Sequence, residues 1–422
     1  MARIAPSILS FRESIVFYLY VVLFLMLASS TLIESDGGNA GYLLTYFVTL
    51  VIAYFVFKFA VERRAENWFS KNYAVNPNKI ADALFVASIL VVIAHFIYLG
   101  QIPLVSASTS NDYFGVMRIR QAIFFDAPAV YRYLPNFVLK SLLPILTLYY
   151  YVSGSRFRFF LSTVMGMFYG LALLNKIFVL IPFVPLMLYL LLNRRFVRAI
   201  LCGAIMAAGL AVLVFVQNPQ VRPSFWTSPD QVTMSGEPLY VESAPVPKER
   251  RSATFPAFQF VDTIYLRLFV VPGQVVSAWF ADIPEKIPYG HGCGYRLVAK
   301  LKGCDFRFYP SLVHDIENPV LVAQGVHGTM TAASFMEDYA NFGGKGMVLG
   351  GVLLGFVLAA VSAVFAGQWR WALILNCIPI GLLIELPLST VLLTGGWALT
   401  IIVYLLLRPG LARAENAKIE GN

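Results

Sequence analysis

Apolar stretches of about twenty residues, separated by short segments rich in lysine and arginine, recur along most of this chain. The stretch 199–217, for example, carries no charged side chain at all. A helix of about twenty residues matches the hydrocarbon thickness of a bilayer. In that solvent every backbone N–H and C=O must find a partner within the protein, which leaves helices or a closed barrel. Barrel strands would show about ten residues of alternating polarity; these runs are continuously apolar. Only 13% of the residues are charged and 58% are hydrophobic, against about 25% charged in a soluble domain. The expected fold class is therefore an all-α polytopic membrane protein.

About ten transmembrane helices are expected, near 15–33, 41–59, 81–99, 135–153, 158–174, 177–193, 199–217, 344–366, 371–388 and 390–407. The fifth and sixth form an almost unbroken apolar run, interrupted by Asn175-Lys176 and by Pro182 and Pro185. A hairpin turning at Asn175-Lys176 is the preferred reading, and a single very long helix is the alternative. The organisation is then a bundle of seven spans over 1–217, a long loop over 218–343, and three spans with a tail over 344–422.

Charge sets the orientation. With the N-terminus inside, the cytoplasmic pieces hold Arg3, Arg12, Lys58, Arg63, Arg64, Lys71, Lys79, Arg156, Arg158, Arg194, Arg195, Arg198, Arg370, Arg408, Arg413 and Lys418. That is about one basic residue in four, against about one in thirteen in the outside loops 34–40, 100–134 and 218–343, so the positive-inside rule places both termini in the cytoplasm. The net charge of +9 has the same origin. Nucleic acid is not an expected partner, because no soluble basic domain exists to bind it. Arg3, Arg12 and the small residues near Ala28 also permit a signal-peptide reading of the first segment, although its apolar stretch is long enough to span.

Two outside loops are long. In loop 100–134, residues 113–125 mix Tyr113, Phe114, Val116, Met117, Ile119, Ile123, Phe124 and Phe125 with Arg118 and Arg120, a pattern for an amphipathic helix in the headgroup layer. A surface anchor and a phosphate clamp both fit it. Loop 218–343 is too long for a connector. Its apolar run 255–280 is cut by Pro272 and Gly273, so neither half can span. Arg267 lies in that run and needs an anionic partner, unless it snorkels or pairs with Asp262. Cys293 and Cys304 fall in the same loop, where an oxidising compartment permits a disulfide. Cys202 and Cys377 sit in apolar runs as small hydrophobes.

Three of the four histidines, His291, His314 and His327, lie in the long loop; His95 falls in the third span, where packing or a hydrogen bond within the bundle accounts for it. No zinc-protease, nucleophile-elbow or phosphate-loop motif occurs, and two cysteines with a distant histidine make no zinc spacing. Lys176, at the ends of the fifth and sixth spans, must pair or reach the interface, and the same holds for Lys140 and Glu385. Arg118, Arg120, Lys176 and Arg267 can all reach the outer membrane boundary, where guanidinium and ammonium groups suit a lipid-linked pyrophosphate. A nearby His327 or Glu337 could accept a proton from a sugar hydroxyl.

The order of features resembles the Wzy-type O-antigen polymerases. It is carried by Gly100-Gln-Ile-Pro-Leu104 followed by Arg118-Ile-Arg120, by Leu174-Asn-Lys176 and Tyr265-Leu-Arg267, and by Phe335-Met-Glu-Asp-Tyr-Ala-Asn-Phe-Gly343 leading into Gly344, Gly346 and Gly350-Gly351. The resemblance implies a GT-C-like membrane glycosyltransferase in a bacterial inner membrane. Such enzymes polymerise undecaprenyl-pyrophosphate-linked repeat units on the periplasmic face without a metal or other cofactor. It implies an arginine role for Arg118, Arg120 and Arg267, a phosphate contact for Lys176, a place for His327 like that of the ligases' histidine, and a chain-length regulator as a candidate protein partner; Glu337 stands as a catalytic candidate from its residue type and position in the loop. Related O-antigen ligases carry a His-Asn pair where this chain has His327-Gly328, which favours polymerase over ligase. A transporter or flippase of lipid-linked sugar is the rival of a different class; the inverted repeats and paired broken helices it would show are not evident.

Overall fold

A computed structural model describes residues 11–69, 76–110, 113–218, 266, 270–323, 325 and 328–420. Among them every regular element is helical and no strand occurs. In chain order the helices are α1 Ile15–Glu34, α2 Ala40–Phe69, α3 Pro77–Leu99, α4 Pro103–Thr109, α5 Tyr113–Gln121, α6 Ala129–Phe137, α7 Leu143–Ser153, α8 Arg156–Ala172, α9 Lys176–Leu180, α10 Val184–Leu192 and α11 Phe196–Gln217. They continue with α12 Val271–Asp282, α13 Arg296–Lys302, α14 Tyr309–Glu317, α15 Pro319–Ala323, α16 Met336–Phe342, α17 Gly344–Val364, α18 Trp369–Leu382, α19 Leu388–Leu392 and α20 Trp397–Glu420.

By length and composition, six segments among the described residues can cross a membrane: Ile15–Glu34, Ala40–Val61, Pro77–Leu99, Phe196–Gln217, Gly344–Val364 and Leu388–Arg413. Lys176–Leu192 and Trp369–Leu382 are shorter apolar helices. The protein is a helical polytopic membrane protein. The C-terminal boundaries differ from those the sequence suggests. The helix expected over 371–388 stops at Leu382, after which the N–H groups of Leu383, Ile384 and Glu385 bond three residues back in a turn that leads to Pro387. The final long helix begins at Trp397, after Gly396 takes φ +82.

Helix ends follow local chemistry. Asn76 caps α3, its Oδ1 accepting from the N–H of Asn78 at 3.0 Å, with Pro77 at the first helical position. Gly100 closes the same helix in the left-handed conformation, its N–H donating to Phe96 O at 3.0 Å. Asn175 caps α9 through Ile177 N at 3.1 Å. A Cβ on Gly166 would meet Pro182, and one on Gly170 would meet the Phe178 carbonyl. These pairs are symmetric about Leu174, so α8 and the run Lys176–Leu192 lie antiparallel, side by side.

The helices group into two compact units. One comprises the described parts of 1–66, 235–367 and 380–390. In it α12 lies along α1, with Gly273 so close to Ser30 that a side chain would not fit. Helix α17 approaches α2 through Gly351 and Gly355, whose positions face Tyr46, Leu50 and Ala53. Rings of Phe24, Tyr46 and Phe335, and of Tyr42, Phe280 and Tyr339, fill the space beside α16.

The second unit comprises the described parts of 67–234, 368–379 and 391–422. Here α6 and α7 are joined by a π-helical turn, Val138–Leu142, so 129–153 is one helical run. Helix α20 lies against α3, α7 and that turn; Ser141 Oγ donates to Gly396 O at 2.7 Å and Trp397 Nε1 to Asn376 Oδ1 at 2.7 Å. His95, fully buried, pairs through Nδ1 with the Tyr169 hydroxyl at 2.7 Å.

Candidate functional site

Among the described residues of the first unit, a set of ionisable and polar groups is built on α16. This seven-residue helix follows the buried Ser334 and Phe335 and runs through Gly343 into the long apolar helix α17. Its first turn carries Glu337 and Asp338, where the positive end of the helix favours carboxylates. Asp338 is only 8% exposed. Its Oδ1 accepts a hydrogen bond from the Tyr295 hydroxyl. A Cβ on Gly346 would run into its backbone carbonyl, and one on Gly350 into Oδ2, so the two glycines of α17 make the room it occupies. Glu337 is half-buried, and its Oε2 accepts a long hydrogen bond, 3.5 Å, from Ser389 Oγ.

Burial gives both carboxylates a preference for the protonated form. It raises Glu337 to about 7, with the neighbouring charge of Asp338 adding to the rise. Asp338 is raised to about 6 by burial, and the Tyr295 hydroxyl holds it lower than burial alone would. Burial, followed by the Asp338 charge, pushes the Tyr295 phenol well above its ordinary value, so it stays a donor. A carboxylate poised near ambient pH, beside a second one, can exchange a proton with a bound hydroxyl.

A disulfide-closed loop holds this arrangement. Cys293 and Cys304 are bonded and enclose α13. On the α16 side, Gly290 N donates to Ala340 O at 3.0 Å and His291 N to Asn341 O at 2.8 Å. The fully buried Asn341 side chain accepts from Gly292 N at 3.1 Å and from Gly294 N at 2.9 Å, and gives its own Nδ2 to Glu337 O at 2.8 Å. Tyr339 fixes the opposite face through Ile283 O at 3.1 Å.

Cationic groups gather in the second unit. Val116 and Ile119 of α5 join Leu174 and Val179 in one apolar cluster with Ala107, Leu213 and Val216. The helix bearing Arg118 and Arg120 and the turn bearing Lys176 are thus parts of one neighbourhood. Lys140 Nζ stands 5.7 Å from the centre of the Phe178 ring, which also meets Phe124. Arg118 and Lys176 are exposed and Arg120 is half-buried. The Nε atoms of Arg120 and Arg132 are shielded from solvent without a hydrogen-bond partner among the described residues.

Of the residues the sequence singles out, Glu337 belongs to the first unit, and Arg118, Arg120 and Lys176 share the second unit's cluster. Arg267 and His327 lie outside the described residues. The neighbouring Gly328 abuts the imidazole of His314. Sequence reasoning does not reach Asp338 as a partner of Glu337, nor Tyr295, Asn341 and Arg132. No local spacing points to Asn341, whose side chain binds the amides of Gly292 and Gly294 far off in the chain and the backbone carbonyl of Glu337. Among the described residues no group of three or more His, Cys, Asp or Glu side chains is arranged to hold a metal ion. Comparison with family models, with curated proteins and with solved structures finds no match to this chain.

Proposed function

We propose that the chain is a membrane glycosyltransferase that polymerises undecaprenyl-pyrophosphate-linked oligosaccharide repeat units into a surface polysaccharide. In this reading it crosses a bacterial inner membrane ten times with a GT-C-like arrangement and both termini in the cytoplasm, and it works on the periplasmic face. The acceptor hydroxyl oxygen attacks the anomeric carbon of the donor glycan. The bond from that carbon to the pyrophosphate oxygen breaks, and the lipid-linked pyrophosphate leaves with the electron pair. Glu337 takes the hydroxyl proton, and Arg267 and His327 serve the same step. Arg118, Arg120 and Lys176, joined by Arg132, hold the pyrophosphate charge as it develops.

The observation that carries the reading is the carboxylate pair at the foot of α17, Asp338 buried and Glu337 half-buried beside it, with Glu337 raised to about 7. Support for the phosphate role comes from the buried, unpartnered Nε atoms of Arg120 and Arg132 among the described residues, since a desolvated guanidinium N–H calls for an anionic acceptor.

The test is genetic and chemical together. Glu337→Gln and Arg267→Ala are expressed in a strain lacking the native gene, protein level is confirmed, and the glycan ladder is displayed. A single repeat unit on the lipid core with no ladder is the expected result. Loss of every capped core points instead to a ligase or flippase, and a normal ladder in Glu337→Gln overturns the role of that residue.

A further inference from the structure

The carboxylates of Glu337 and Asp338 are adjacent in sequence, yet their surroundings differ in kind. Asp338 receives a phenol hydroxyl, lies against Gly350 and is almost closed off from solvent. Glu337 is the more open of the two and has only the long contact from Ser389. The difference originates in the loop closed by Cys293–Cys304. Tyr295 follows the first of these cysteines by two residues and immediately precedes α13, which ends just before the second. Both sides of Cys293 are anchored to α16, because Gly292 N and Gly294 N share the Asn341 Oδ1 acceptor. Arg307 N, three residues past Cys304, donates to Cys293 O at 2.9 Å, tying the chain beyond the second cysteine to the same point.

We propose that this loop is a clamp that assigns the proton within the pair: Tyr295 holds Asp338 as the ionised member, and Glu337 is left as the member that takes up and releases a proton. Tyr295 is a positioning residue, acting on Glu337 through Asp338. A hydroxyl donated to Asp338 stabilises its charge; that charge disfavours a second one at Glu337. The other groups facing the pair are Tyr46 of α2, Tyr295 itself and Ser389, while α17 presents glycines there and its Lys345 is exposed. Among the described residues the side chains acting on the two carboxylates are Asp338 and Ser389 on Glu337 and Tyr295 on Asp338, which makes the phenol hydroxyl the described group that bears on Asp338. Because the disulfide holds the loop that carries Tyr295, the assignment depends on oxidation of Cys293 and Cys304. The consequence for glycosyl transfer rests on the proposed function; the proton assignment does not.

The test uses the purified full-length protein in lipid nanodiscs. Infrared difference spectra across a pH series follow the C=O stretch of protonated carboxyls, with Glu337→Gln and Asp338→Asn assigning the bands. In the wild-type protein the band that titrates near neutral pH is expected to vanish in Glu337→Gln. In Tyr295→Phe, Asp338 is expected to remain protonated to a pH about one unit higher and Glu337 to ionise earlier, a shift of the size one hydrogen bond to a carboxylate produces. The double variant Cys293→Ser/Cys304→Ser should reproduce that shift. Where it does not accumulate, reduction of the folded wild-type protein in the same cell replaces it. Titrations unmoved by Tyr295→Phe overturn the clamp, and so does a shift in Tyr295→Phe with none on opening the disulfide. A shifted titration with an unchanged glycan ladder leaves the clamp standing and overturns the catalytic role of Glu337.

Discussion

Gly350 of α17 faces Oδ2 of Asp338 so closely that a Cβ there would sit 2.5 Å from the oxygen. The glycine is a space requirement of the carboxylate. Gly350→Val must displace Asp338 or separate α16 from α17, at a cost of about 1–3 kcal/mol for an overpacked site. The expected outcome is a lower thermal midpoint for the solubilised protein, together with loss of the near-neutral carboxyl band. Gly203, which has nothing within 4 Å of its Cβ position, is the control, and Gly203→Ala should leave both measurements unchanged.

The pH dependence of stability follows from the direction in which Glu337 is displaced. Its value in the folded protein, about 7, lies above the ordinary 4.5. The folded state therefore binds this proton more tightly than the unfolded state does. The resulting stabilisation is fully present below about 4.5 and is lost as pH rises through about 7. Glu337→Gln, which is neutral at every pH, should flatten that part of the profile and raise the midpoint at pH 8 by a few degrees. Thermal unfolding of the wild-type and variant proteins between pH 5 and pH 8 provides the check.

Opening the disulfide should loosen a defined piece of the protein. A loop of this size is expected to contribute about 3 kcal/mol when closed. Hydrogen exchange is predicted to rise at Gly292, Gly294 and Asn341 in Cys293→Ser/Cys304→Ser, while the buried α7 segment stays protected. In the proposed orientation a membrane-impermeant thiol reagent should label Cys293 and Cys304 in reduced intact spheroplasts. The same reagent should not label the buried Cys202.

Arg120 and Arg132 each keep an Nε away from solvent without a partner among the described residues. Replacing either with alanine should weaken binding of a soluble prenyl-pyrophosphate analogue about tenfold or more, as expected for a lost hydrogen bond to a charged group. Lysine should not restore it, because a single ammonium cannot reproduce a forked pair of donors. Calorimetric titration of the purified variants measures both effects.

Much of the architecture was legible because the bilayer imposes length and apolarity on every span. The break at Asn175-Lys176 stood out as the one polar interruption in an otherwise continuous apolar run. The ends of the last helices were harder to place: residues 383–396 are nearly as apolar as their neighbours, and Pro387 and Gly396 alone mark the stops. Within the site, Glu337 and Asp338 look alike in sequence. What separates them is a phenol forty-three positions away in the chain and a glycine on the following helix, long-range relations that no local pattern encodes. Arg132 carries no local pattern that sets it apart from the other basic residues of the outside loops.

The antiparallel register of α8 against the run Lys176–Leu192 sets a rule for how these arms can change. Gly166 is matched to Pro182 and Gly170 to Phe178. One residue added to either arm would rotate everything beyond it by about 100° and turn the small residues away from the backbone they admit. Lengthening is tolerable only if both arms gain together, or if the addition falls in the bend at Leu173–Asn175, where it would alter the reach of Lys176 and leave the seam intact.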